Sequence, residues 1–222
     1  MPKNVKSENI CNLSRLPIKM ENNPLYKTCL EILNNNSIEY TDTSIYNFGK
    51  KYFKHKKSLS DIFGIEELQD YDYRVGFLPW IHEKPQLKIV DNAFIRFNIE
   101  EKFNKLKKLL FSIKDLGYVP KDFPDRKNGI TGYMLQYEGK SRFYVVSGNH
   151  RAAALSALKL EIPFNYESGK LLKESEKIGV AIDTSNYPSL FSDDKVVDWP
   201  SVRSGFISEK VAIKIISKYF EE

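Results

Sequence analysis

The sequence predicts an α+β fold, and three stretches carry that expectation. Phe143-Tyr144-Val145-Val146 is an apolar run rich in β-branched and aromatic residues. It breaks at Ser147-Gly148-Asn149 and becomes the alanine- and leucine-rich run His150 to Leu158, so it reads as strand, glycine turn and helix. Ahead of it, Ile130 to Tyr137 and Arg142 to Ser147 flank Glu138-Gly139-Lys140 as two strands of a hairpin. Farther upstream, a segment from Asn98 or Ile99 to Leu116 sets Phe103, Leu106, Leu109, Leu110 and Ile113 on one helical face, with lysines opposite and Gly117 at its end.

The remaining elements follow in chain order. Residues 1–22 are polar with scattered apolar positions and read as a flexible or loosely docked arm. Residues 23–85 read as a helical N-terminal region and a connector. Asn23-Pro24 is a helix entry with proline at the first helical position. Leu25, Cys29, Ile32 and Leu33 then recur at helical spacing up to Asn34-Asn35-Asn36. A second helix starts near Thr43-Ser44 with Ile45, Phe48, Tyr52 and Phe53 on one face, and a short third, Ser58 to Phe63, closes at Gly64. In the connector, Trp80 after Pro79 is placed to pin the segment onto the main body. Leu87, Ile89 and Val90 suggest a strand, and Lys121 to Gly129 a polar loop. Ile162-Pro163-Phe164-Asn165-Tyr166 suggests another strand. Residues 167–200 have no clear period. The last helix opens at Ser208, a good cap, with Val211, Ile215, Ile216 and Phe220 on its apolar face.

The totals exclude several classes. With 222 residues, 41% of them hydrophobic, the chain has enough apolar side chains for one core and does not have a disordered composition. Its net charge of +5 rests on 34 Lys and Arg against 29 acids spread along the chain, which is weak grounds for a nucleic-acid partner. The basic, aromatic stretch Lys50 to Lys57 is the one local exception, and a solvated face over a core stripe accounts for it equally. No run reaches the ~18 apolar residues of a membrane span, and the N-terminus lacks an apolar signal core, so a cytoplasmic location is expected. The two cysteines, Cys11 and Cys29, are expected to be reduced thiols. Three histidines, His55, His82 and His150, are too far apart to suggest a histidine metal site.

The chemistry-bearing stretch is 147–151. A strand that turns through Gly148 into a helix leaves the first amides of the helix unpaired, and the positive end of the helix dipole adds to them. That is an anion site, and phosphate suits it because the Arg151 fork grips two oxygens at once. His150 and Arg151 lie in the first turn, where the dipole disfavours cations and a bound anion offsets them. The plainer alternative has Arg151 paired with a carboxylate and His150 packed.

The order of these pieces resembles the ParB/sulfiredoxin-like domain. The matching pieces are Arg96, Ser112-Ile113-Lys114-Asp115-Leu116-Gly117, the 130–147 hairpin, Gly148-Asn149-His150-Arg151-Ala152-Ala153 and Ile162-Pro163, over residues 86–166. The resemblance implies a small mixed sheet with flanking helices. Residues 86–222 then form a nucleotide-binding domain with a C-terminal helical extension. It also implies phosphate binding at the Gly-x-x-Arg turn. Members bind and hydrolyse CTP, use ATP to repair an over-oxidised cysteine, or phosphorylate free serine. This chain departs from the repair enzymes, which carry cysteine where Asn149 stands, and from ParB proteins, because no helix-turn-helix pattern follows Tyr166.

The expected activity is therefore transfer of phosphate from ATP or CTP, with Mg²⁺, to a small molecule or sugar-like hydroxyl. Ser147, Gly148, Asn149, His150, Arg151 and Arg96 are the expected nucleotide contacts, with Arg203 as a second phosphate or substrate contact. His150 is expected to bond a phosphate oxygen or move a proton. Asp91, Glu100 and Glu101 are the candidate carboxylates for the acceptor proton or the metal. Each is also an ordinary surface or helix-start acid, and Arg203 serves equally as an ion pair holding the tail. A nucleotide-binding switch without useful catalysis, using residues 23–80 as its partner module, is the alternative.

Overall fold

A computed structural model of the chain describes residues 3–5, 10–13, 16–54, 59–68, 77–84, 99–118, 130–160, 162–166 and 190–221. It is a mixed α+β structure. Its centre is the hairpin of β4 (Thr131–Tyr137) and β5 (Lys140–Ser147). Glu138 and Gly139 both take positive φ, 48° and 74°, the geometry of a tight hairpin turn whose twist matches that of its strands. The register runs from Tyr137 opposite Lys140 to Thr131 opposite Ser147, with an irregularity between Thr131 and Gly132.

Four of the other strands extend the sheet on both sides, in the order β1-β6-β4-β5-β2-β3, and β7 also pairs with β4. β2 (Ile10–Leu13) lies parallel to β5 and antiparallel to β3 (Leu16–Lys19). β6 (Ile162–Tyr166) lies parallel to the start of β4, and β7 (Leu190–Ser192) parallel to its later half. β1 (Lys3–Val5) closes the edge antiparallel to β6. The expectation of a loosely docked arm over 1–22 is thus corrected. In that span β1 and β2 pair with strands more than a hundred positions away, β3 pairs with β2, and Ile10 is fully buried.

Successive side chains of a strand point to opposite faces, and each face here has its own core. On one face Phe143 and Val145 meet three helices: α1 (Pro24–Asn34), α4 (Ile99–Leu116) and α5 (Asn149–Ala157). Ala152, Ala153 and Ala154 are completely buried, and their small side chains let α1 and α4 lie close against α5. Leu25, Cys29 and Ile32 of α1 share this core with Leu106 and Leu110 of α4, so the N-terminal helices do not stand apart from residues beyond 86. Each such Leu or Ile contributes roughly 1.5–3 kcal/mol by leaving water.

The entry to α1 is as the sequence predicts. Pro24 stands in the first turn, and the Leu25 amide donates to Asn23 Oδ1 at 2.8 Å. α1 in turn starts α2 (Ser44–Lys54). Glu31 accepts from the Ser44 amide at 2.9 Å and from its hydroxyl at 2.5 Å, and Thr28 Oγ1 accepts from the Ile45 amide at 2.9 Å. Gly117, with φ 77°, ends α4.

The second face is aromatic. Tyr133, Leu135 and Tyr144 meet Phe63 at the end of α3 (Leu59–Phe63), Trp80, and the C-terminal α6 (Pro200–Arg203) and α7 (Glu209–Ser217). Tyr133 and Tyr144 stack at 4.8 Å, and Trp80 Nε1 donates to the Tyr133 hydroxyl at 2.9 Å. Ser201 Oγ donates to the Pro79 carbonyl at 2.9 Å, so the connector is held from both sides of Trp80. His82 Nδ1 accepts from the Leu78 amide at 3.0 Å in the same turn. No helix among the described residues is long and apolar enough to cross a membrane.

Candidate functional site

The buried strand β5 delivers the chain to Gly148, which takes φ 87° and ψ 22°. This left-handed geometry costs glycine nothing, because it has no Cβ. α5 starts at once, with its first ladder bond from the Ala152 amide to the Gly148 carbonyl at 2.9 Å. No side chain caps it. Among the described residues, no protein acceptor takes the amides of Asn149 or His150. The other helix starts differ. Asn23 caps α1, Glu31 takes the first amide of α2, and Ser208 Oγ accepts from the Val211 amide of α7 at 3.3 Å. Of these four, α5 is the one whose start has no side-chain acceptor among the described residues.

Positive charge converges on that turn. His150 is partly buried, and burial is the main cause that pushes its pKa down to about 4. The charges of Lys102, Arg151 and Lys105 push in the same direction. Lys102 and Lys105 belong to the first turns of α4, which packs on α5. The imidazole is therefore neutral at pH 7, a hydrogen-bonding group beside cationic side chains. Arg151 also acts on Tyr118, just past Gly117 at the end of α4. Among the described residues the buried Tyr118 hydroxyl has no hydrogen-bond partner, and burial raises its pKa, so it stays protonated.

The expected acids divide. Glu101 pairs with Lys105, whose hydrogen bond holds the Glu101 carboxyl below its usual range. Glu100 is exposed on the same first turn. Asp91 and Arg96 lie outside the described residues, as do His55 and the expected strand at 87–90. Ser147 ends β5 opposite Thr131. Arg203 is exposed at the end of α6, in the layer on the other face of the sheet from α5. The structure thus groups Gly148, Asn149, His150 and Arg151 with the start of α4, and gives Arg203 no described contact with that turn.

No family model matches this chain. Comparison with curated proteins and with solved structures likewise gives no match.

Lys102 and Lys105, whose charges act on His150, and Tyr118, on which Arg151 acts, are absent from the sequence-derived set. The lysines read in sequence as a solvated helix face, and Tyr118 as the residue after a helix stop. Nothing in their own neighbourhood points to α5, which lies more than thirty positions on. Cys29 offers no nucleophile, because burial pushes its thiol up to about 12. Among the described residues, no three His, Cys, Asp or Glu side chains gather in a way that would hold a metal ion.

Proposed function

We propose that the chain binds the phosphates of a nucleotide on the first turn of α5 and transfers phosphate to a small hydroxyl-bearing acceptor. The domain would then be ParB/sulfiredoxin-like. One observation carries the reading: a helix start without a side-chain cap, with two amides that no acceptor among the described residues takes, lies where the charges of Lys102, Arg151 and Lys105 act on His150. A di- or triphosphate is attracted to such a field. Phosphoryl transfer asks little more of a protein than positioning and charge stabilisation.

In this reading the Asn149 and His150 amides and the Arg151 fork hold the phosphate oxygens. Lys102 adds charge from α4. The neutral His150 ring donates to a phosphate oxygen or accepts the acceptor's proton, a role open to an imidazole free of charge at pH 7. Mg²⁺ would offset the phosphate charge, and Glu100 and, by residue type, Asp91 would help hold it.

One observation favours the alternative, a nucleotide-binding switch without transfer. Glu101 is already committed to Lys105, which leaves Glu100 as the exposed acid of that first turn. Labelled ATP, CTP and GTP with Mg²⁺ and a panel of hydroxyl acceptors separate the two. Label moving to an acceptor supports the kinase, and binding with no transfer supports the switch. Arg151→Ala is expected to abolish nucleotide binding while leaving the circular dichroism spectrum intact. Unchanged affinity in that variant would refute both.

A further inference from the structure

We draw no further inference here: the strongest candidate, the turn from Leu78 to His82 in which the Leu78 amide donates to the half-buried His82 ring beside the buried Trp80, is flanked on both sides by segments outside the described residues, so nothing in the structure shows which charges face the imidazole and would set its response to pH.

Discussion

His150 gives the account a quantity that can be measured without a known substrate. Its pKa in the folded chain is about 4, against 6.5 for an unperturbed imidazole. At ~1.36 kcal/mol per pH unit, that gap corresponds to about 3 kcal/mol, an upper figure because the ring is only partly buried. The folded value lies below the unfolded one. Above pH 6.5 both states are neutral and the full stability is present. As pH falls from 6.5 to 4, the unfolded chain takes up the proton and the folded chain does not, so stability drops. Below pH 4 the loss is complete. Urea denaturation of wild type and His150→Gln across pH 4.5–8 isolates this part of the slope, and wild type is expected to lose about 2–3 kcal/mol more than the variant over that range. Proton NMR follows the ring directly, since the chain has only three histidines. Bound tripolyphosphate adds negative charge beside the ring, so it is expected to raise the His150 pKa and flatten the slope. An imidazole that titrates at 6.5 or above without any anion would refute the reasoning, because it would mean that the ring is neither desolvated nor surrounded by cations.

Two further substitutions test the frame that holds the turn. A Cβ at Gly132 would lie 2.0 Å from the Tyr144 carbonyl oxygen and 2.8 Å from the Phe143 ring. No rotamer relieves a backbone contact, so Gly132→Ala is expected to cost about 3 kcal/mol or more in chemical denaturation, and a cost under about 1 kcal/mol would contradict the close approach of β4 and β5. Glu31→Ala removes the carboxylate that caps α2 and is expected to lower stability by about 1–2 kcal/mol, with far-ultraviolet circular dichroism reporting a frayed helix. An unchanged midpoint would show that the Ser44 amide and hydroxyl do not depend on Glu31.

The parts of this fold that declare themselves in sequence are the local ones. Residues 130–166 read correctly because period-two strands, a Glu-Gly turn and an alanine-rich helix each carry their signal within a few neighbours. The same holds for α4, whose stop at Gly117 falls where the left-handed φ is found, and for Ser208 as the cap of α7. The strands β1, β2, β3 and β7 have three or four residues each, and β1, β2 and β7 find partners far along the chain. No window contains both sides of such a pairing, so residues 1–22 read as an arm. The candidate site divides in the same way. Gly148 to Arg151 is contiguous and was legible. Lys102 and Lys105 act on His150 only because α4 packs on α5, and amphipathic spacing alone marks the lysines as solvated. Burial of α5 on every side was also hidden, because alanines fit a covered helix and an exposed one equally well.

The most direct test of the anion cradle is amide NMR of the labelled protein during titration with tripolyphosphate. The account predicts saturable downfield shifts of the Asn149 and His150 amide protons, with Arg151 and the start of α4 responding at the same midpoint. Silence at Asn149 and His150 at saturating tripolyphosphate, or shifts scattered over surface lysines without saturation, would contradict it.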